Sequence, residues 1–595
     1  MGGQVTPVEN EALSPRRCRR PERRQAAAAP NPLWSAGRRC VTMTVMTVRQ
    51  SSCEPTAVLR DHVPQTACRA GDEGDGGVAD ADVGVAILGA GFAGICMAIK
   101  LQESGRNDFA IFEKAATLGG TWRDNTYPGC SCDVPSHLYS FSFDANPDWS
   151  RTYASQPEIL AYLESVAARH RITSRIAFRT EIVECIWDED ASRWHLRAAD
   201  GRRYTARVVV AAVGALQTPV EPPLQGVEQF AGARFHSARW RHDVDLRGKD
   251  VAVIGTGASG VQFIPEIAPH VRRLTVYQRT PSWVLPRNDR RVSRLRRLLY
   301  ARVPGLLQLR RAWQFCKAEA VAIGLVHWPR LMGRGQKRSV RFRKRAISDW
   351  HLFSKLHPHY TLGCKRVLLS DDFYATMKLP HVELVTVPIQ EVRARSILAA
   401  DGGDRACDVL ISATGFRPFD ASTCVTVIGR GGRSLADDWR QGPEAYRGVA
   451  VAGYPNYFLL VGPNSGLGHT SIVFMIEAQV RYVLQCLAWL EQGRLREVEV
   501  RPDVQQAYNV TLQARFAGTV WRQTPGKPWQ RPCRSWYAPG GKNIALWPGL
   551  AIRYWWAMRR AEIADYTPVP KTRTQSVMSA GTSTSMANEA GNNSR

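Results

Sequence analysis

Two glycine clusters carry the clearest chemistry in the chain. Gly89-Ala-Gly91-Phe-Ala-Gly94 ends the apolar run VGVAIL, and Gly255-Thr256-Gly257-Ala-Ser-Gly260 ends DVAVI. A stretch of helical periodicity follows each, then a second apolar run, DFAIFEK in the first case and RLTVYQR in the second. Glycines at this spacing allow a tight turn and bring backbone amides close to a pyrophosphate, and the helix that starts there points its positive end at the same anion. The two clusters differ 24 positions beyond their first glycine. Glu113 stands there in the first, and its carboxylate can accept hydrogen bonds from a ribose hydroxyl pair. Arg279 stands there in the second, where a guanidinium suits the 2′-phosphate that a carboxylate would repel; Thr280 and Lys365 are its candidate helpers. The first site therefore reads as one for FAD and the second as one for NADPH.

Positioning two such sites takes strands that alternate with helices, and the chain has them. Further glycine-ended strands begin at Asp408 (DVLISATGF) and Asn456 (NYFLLVGPNSG). The pattern predicts an α/β fold with two Rossmann-like dinucleotide-binding domains, one for FAD and one for NADP, and an inserted helical subdomain. The expected layout is an extension over 1–80, read as disordered or as translated upstream sequence with the true start at Met43 or Met46. FAD-domain segments follow at 81–219 and 390–566, and NADP-domain segments at 220–286 and 350–389. A basic helical insert occupies 287–349, and a disordered tail 567–595.

Composition narrows the class. Of 595 residues, 44% are hydrophobic and 22% charged, which excludes wholesale disorder, and no heptad persists that would suggest a coiled coil. The 14 cysteines are sparse for a disulfide scaffold and read as free thiols in a reducing cytosol. No run reads as a membrane span; the most apolar stretch, Ala318 to Val326, is short and contains Glu319. The net charge is +26, and more than half of that excess lies between Arg287 and Asp349, where 18 basic residues face three acids. Leucines there recur at helical spacing beside the arginines, as in Leu306, Leu307 and Leu309 with Arg310 and Arg311. Nucleic acid is not expected, because no regular aromatic ladder accompanies the charge. An anionic membrane surface is the stronger rival to nucleic acid, and a plain solvated basic face is an equal alternative. The expected location is cytoplasmic, with attachment to the inner face of the membrane as an open alternative.

Electrons that reach a flavin from NADPH need a destination. A redox-active cysteine pair is one option, but there is no CxxC; Cys130-Ser-Cys132 has the wrong spacing and reads as a turn. A metal is not expected either, since His351, His357, His359 and Cys364 follow no standard ligand spacing. Dioxygen remains.

At this point the chain resembles a family. Phe230-Ala-Gly232-Ala-Arg-Phe-His236-Ser-Ala-Arg-Trp240 is similar to the FxGxxxHxxxW signature of Baeyer–Villiger monooxygenases, class B flavoenzymes of the cyclohexanone, hydroxyacetophenone and steroid monooxygenase type. It departs from the family's usual pattern in having Arg241 next, with Asp243 two positions later. GGTWRDNTYPG (Gly119 to Gly129) and CDVPSHLYSFSF resemble the family's flavin-binding loop, and SWYAPGGKNIALWPG (Ser535 to Gly549) the end of many members. RQTPGKPWQRP, after Trp521, is atypical. The resemblance implies that FAD is held by Gly120, Thr121, Trp122, Asp124, Tyr127, Asp133 and Tyr139 as well as by the first glycine turn. It implies that NADPH reduces the flavin, that O₂ adds at flavin C4a, and that the peroxide so formed attacks a ketone, which rearranges to an ester or lactone. Arg366 matches the family's active-site arginine and Asp133 the acid that steers it. His236 is read as a hinge residue between the two nucleotide domains rather than as a general base. An N- or S-oxygenating flavin monooxygenase would share every cofactor motif, and Trp240 and Arg366 favour the ketone reaction. A non-catalytic membrane- or anion-binding protein on a redox scaffold is the remote alternative, disfavoured by two intact glycine motifs.

Overall fold

The strands that end in the first glycine cluster are apolar on both faces, and such strands belong inside a parallel sheet covered on both sides. β1 (Ala81–Leu88) and β2 (Phe109–Glu113) pair in parallel, with Ile87 opposite Ile111 and Leu88 opposite Phe112. Helix α1 (Phe92–Glu103) crosses between them and buries nine of its twelve residues. The protein is described by a computed structural model over residues 81–418, 425–522 and 533–568. β1 and β2 sit in an eight-stranded sheet in the order Thr426–Ile428, Ile182–Asp188, Arg193–Ala198, Arg203–Ala211, β1, β2, Ile176–Phe178, with Tyr457–Leu459 also paired to Arg203–Ala211.

The second glycine cluster repeats the unit. β3 (Asp250–Ile254), α2 (Ala258–Ile267) and β4 (Arg273–Tyr277) form another parallel crossover. Their sheet has five strands, all parallel, in the order Val382–Val385, β4, β3, Val409–Ser412, Ala233–His236. Val409–Ser412 corrects the expected layout, because the second sheet claims residues well past 390 before the chain returns to the first. A small antiparallel sheet, Ile389–Val392 with Ser396–Ala399 and Asp404–Ala406, leads into that last strand.

The insert consists of α3 (Arg294–Arg302), α4 (Leu306–Val326) and α5 (Met332–Ala346). α3 buries no residue, whereas the C-terminal end of α4 enters the core through Leu325 and Val326. Its arginines do not form a uniform solvated face. Arg343 is fully buried. It donates to the Leu356 carbonyl at 2.7 Å, lies 2.6 Å from His357 Nδ1 and covers the Phe353 ring. Arg311 donates to the Ser140 carbonyl and hydroxyl, fastening α4 to the 137–140 segment.

Two further expectations are corrected. Ile472–Glu491 is long and apolar enough to cross a membrane, which the sequence reading overlooked, but it lies mostly buried as a core helix. Cys364 and Cys533, 169 positions apart, form a disulfide, so the thiols are not all free. Residues 1–80, 569–595 and most of the atypical run after Trp521 lie outside the described residues.

Candidate active site

Both glycine turns are built alike. Gly89 and Gly255 take φ of +104° and +108°, a region in which side chains are strained, and each packs against the backbone after a neighbouring strand, at Ala212 and Ala413. A Cβ on Gly94 or Gly260 would collide with the carbonyl oxygen of the first glycine of its own motif. The middle glycines differ: a Cβ on Gly257 meets nothing within 4 Å, and on Gly91 only the Gly120 Cα at 3.9 Å. The polypeptide itself has room for a side chain there. Glycine at these positions fits a ligand that approaches the backbone, as the pyrophosphates of FAD and NADPH do.

At the end of β2, Glu113 is buried and already engaged. Oε2 accepts from the Ala90 N–H at 2.8 Å, and Oε1 from the Ala115 N–H at 3.0 Å and from Arg123 at 2.8 Å. Glu113 therefore pins the glycine turn, with acceptor capacity left for a ribose hydroxyl. Arg123 is a residue that sequence reasoning missed. It joins Glu113 to Asp124, which it holds through Nε at 2.7 Å and Nη2 at 3.0 Å. Its place inside GGTWRDNTYPG, beside Asp124, was the available signal.

The remaining loop residues converge through aromatic contacts. Trp122 donates its indole N–H to the Tyr139 hydroxyl at 3.1 Å, and Tyr139 packs edge-on against Phe92 of α1. Thr121 and Asp124 are exposed, and Gly120 approaches Gly91. Tyr127 donates to Gln262 Oε1 at 3.0 Å, and Gln262 donates back to the Ser131 carbonyl, which ties α2 of the second unit to the loop of the first. Gln262, also unforeseen, lies inside a mostly apolar helix.

Trp240 completes that link. Its ring lies 5.3 Å from Phe263 of α2, and Phe263 lies 6.0 Å from Tyr127. Earlier in the same motif, Gly232 lies against the Phe230 ring and the Asp408 carbonyl, where a side chain would clash. His236 is buried, its Nδ1 accepts from the Ala238 N–H at 3.1 Å, and its ring faces Phe416. Burial, with a smaller contribution from Arg239, holds its pKa below the ordinary imidazole value despite Glu221. A neutral, bonded imidazole here fits a positioning part.

At the second site, Arg279 and Thr280 are exposed at the end of β4. Burial first, and the charge of Arg279 second, lower the pKa of Lys365. Among the described residues neither cation pairs with a carboxylate, an arrangement that suits a phosphate dianion. Thr256 is used structurally, donating to Gln278 Oε1 at 3.0 Å.

Arg366 and Asp133 meet face to face. Nε lies 2.5 Å from Oδ2 and Nη2 2.6 Å from Oδ1. Burial opposes the charge on Asp133, but attraction and hydrogen bonds from Arg366 outweigh it and hold the carboxyl below its ordinary range. The same charge raises the pKa of Arg366 despite desolvation. The Arg366 side chain keeps 41% of its surface open, so it remains reachable. Tyr537 is buried beside both groups. The sequence reading had left its motif without a role. Cys130 and Cys132 are free and buried, and burial pushes the Cys130 thiol up to about 11, which does not suit a dithiol redox centre.

Residues 86–304 match the family model described as pyridine nucleotide-disulphide oxidoreductase. The chain is 45% identical over 484 residues to a Baeyer-Villiger monooxygenase of Pseudomonas aeruginosa, spanning 81% of this chain and 90% of that one. It is 42% identical to a Baeyer-Villiger monooxygenase of Streptomyces coelicolor, spanning 81% and 92%.

The chain belongs to the Baeyer–Villiger monooxygenases.

Solved structures agree with this membership. Cyclohexanone monooxygenase from Rhodococcus sp. Phi1 bound to NADP+ superposes with a TM-score of 0.70 at 30% identity, covering 80% of this chain and 97% of that one. A steroid monooxygenase bound to NADP gives 0.70 at 29%, with the same coverage. As a Baeyer–Villiger monooxygenase the chain uses FAD and NADPH; its glycine turns leave room for a pyrophosphate, Glu113 offers an acceptor, and Arg279 and Lys365 offer cationic donors.

Proposed function

We propose that this chain oxidises ketones to esters or lactones with O₂ and NADPH, and that Arg366, tethered by Asp133, is its catalytic cation. The observation that carries the assignment is the two-bond pair between these residues, close to the flavin loop and next in sequence to Lys365. FAD reduced by NADPH supplies activated oxygen. The chain supplies the surroundings. Adding a nucleophilic oxygen to a ketone builds negative charge on the carbonyl oxygen, and a preorganised guanidinium lowers the cost of that charge without having to reorient. Asp133 fixes the plane of the guanidinium and, remaining ionised, tempers its positive field. Arg279 and Lys365 bind the 2′-phosphate. Trp240, through Phe263 and Tyr127, and Gln262 hold the second unit against the first so that nicotinamide and flavin can meet.

The experiment is product identification with the FAD-loaded enzyme, NADPH, O₂, and a cyclic ketone and a thioether offered separately. Lactone from the ketone supports the reading. Sulfoxide alone, with the ketone untouched, would place the chain's activity with the N- and S-oxygenating enzymes.

The insert supports a location. α4 presents Leu309, Trp313, Cys316 and Ala320 as an exposed stripe, with Leu309 67% and Trp313 59% accessible. α3 exposes Leu295, Leu298 and Leu299 among Arg294, Arg296 and Arg302. Apolar stripes flanked by arginine complement an anionic lipid surface better than they complement solvent. We infer that α3 and α4 rest on an anionic membrane, consistent with a peripheral cytoplasmic enzyme that acts on lipophilic ketones.

A further inference from the structure

The loop that carries Lys365 and Arg366 is held from outside by one late segment of the chain. Gly363 takes φ of +98° and is wedged against Leu325 of α4, so closely that a Cβ would clash with that side chain. The Trp521 indole N–H donates to the Gly363 carbonyl at 2.9 Å, and the Val520 N–H donates to the Leu325 carbonyl at 2.9 Å. Cys533 is bonded to Cys364, one residue past Gly363 and two before Arg366. Four residues beyond Cys533, Tyr537 is buried within electrostatic reach of Arg366 and Asp133. The bridge is thus the covalent member of a set of contacts that converge on the catalytic loop.

We infer that the Cys364–Cys533 disulfide positions Arg366 and Lys365, and that opening it uncouples NADPH oxidation from oxygen transfer. The inference rests on the catalytic reading of Arg366 given above. With the bridge closed, Tyr537 and the loop share one frame, and Arg366 meets Asp133 in the two-bond geometry. With it open, the loop keeps only its noncovalent contacts, and Arg366 and Lys365 gain freedom at the point where reaction geometry is most sensitive to small displacements. Opening takes two electrons from a dithiol. One reductant thiolate attacks a cysteine sulfur and forms a mixed disulfide. The second reductant thiolate displaces it, leaving two cysteine thiols and the oxidised reductant. Cytosolic disulfides are more often redox-responsive than inert, so a bridge beside the reaction centre gives thiol status a route to oxygen-transfer yield.

The test uses FAD-loaded full-length enzyme before and after dithiothreitol, with the reductant removed before assay and free thiols located by alkylation and mass spectrometry. Ester and hydrogen peroxide are measured per NADPH consumed, with the KM for NADPH. This yield does not depend on the fraction of enzyme that remains folded, so a purely structural bridge leaves it unchanged. The expected result is that the reduced enzyme keeps its FAD, loses ester per NADPH several-fold, releases peroxide in its place and shows a higher KM for NADPH. Reoxidation restores the native values. The Cys364→Ser/Cys533→Ser variant should match the reduced enzyme and ignore dithiothreitol. Unchanged ester per NADPH with both thiols alkylated overturns the inference. So do loss of FAD and activity at constant yield, or free Cys364 and Cys533 thiols in a fully coupled native enzyme. If the oxidised native enzyme forms no ester at all, the catalytic reading fails; if it forms ester and ignores reduction, only the bridge inference fails.

Discussion

Asp133 and Arg366 lie 233 positions apart in the chain and meet through two parallel hydrogen bonds, at 2.5 and 2.6 Å. A guanidinium held in this way is fixed in plane as well as in position, which a lysine ammonium could not reproduce. The consequence for pH follows from the depressed pKa of Asp133. Its ionised form contributes fully above the ordinary carboxylate pKa of about 4, and the contribution is lost as pH falls through the lower folded value. Native enzyme should therefore melt at a higher temperature than Asp133→Asn by a constant margin from neutral pH down to about 5, with the margin closing only at more acid pH. Thermal melts of both proteins across that range check it; a margin that closes near neutrality would contradict the ion pair.

Arg279→Glu should raise the KM for NADPH by about 10- to 100-fold, the range expected from losing a charged hydrogen bond to phosphate and gaining a repulsion. Flavin content should not change, because Arg279 is exposed just beyond β4 in the second unit, outside the first glycine turn and its loop. The measurement is steady-state kinetics with NADPH and NADH. An unchanged NADPH preference in the variant would remove Arg279 from the phosphate site.

The glycine turns and Glu113 were legible in the sequence because their determinants are local: a turn, the strand before it and an acid at a set offset. Long-range partnerships were legible only where a family motif marked both ends, as with Asp133 and Arg366. The Cys364–Cys533 bridge spans 169 positions with no local signature, and the expectation of free thiols fell there. Arg123 was passed over because charge in so short a segment has no period to distinguish a half-buried clamp from a solvated cation. The same limit applies to the insert, where composition counted Arg343 and Arg311 with the surface charge although both are anchors inside it. Ile472–Glu491 shows the reverse problem: an apolar helix reads alike in a core and in a bilayer, and only its packing decides.

Glu113→Ala should lower FAD occupancy of the purified protein. The substitution leaves the Ala90 and Ala115 N–H groups without their acceptor and removes one partner of Arg123, at a cost of about 1–3 kcal/mol before any loss of ribose contacts. The ratio of flavin to protein absorbance reads this directly. Full occupancy in the variant would show that the turn holds its shape without the carboxylate.

Membrane attachment through the insert predicts cosedimentation with phosphatidylserine-containing vesicles, weakening as salt rises, and none with purely phosphatidylcholine vesicles. Leu309→Ser/Trp313→Ser should reduce binding while NADPH oxidation in solution stays native, since both side chains point outward from α4. Equal sedimentation with both vesicle types would show that charge has no part in it.

The central claim is that Arg366 is the cation that supports oxygen transfer, and ester formed per NADPH consumed by Arg366→Ala tests it most directly. Removing one preorganised charge contact costs about 10²–10³ in rate. The variant should retain its fold and FAD, form ester at least that much more slowly than native enzyme, and release peroxide for whatever NADPH it still consumes. Native ester yield in a folded, flavin-loaded Arg366→Ala enzyme would contradict the account.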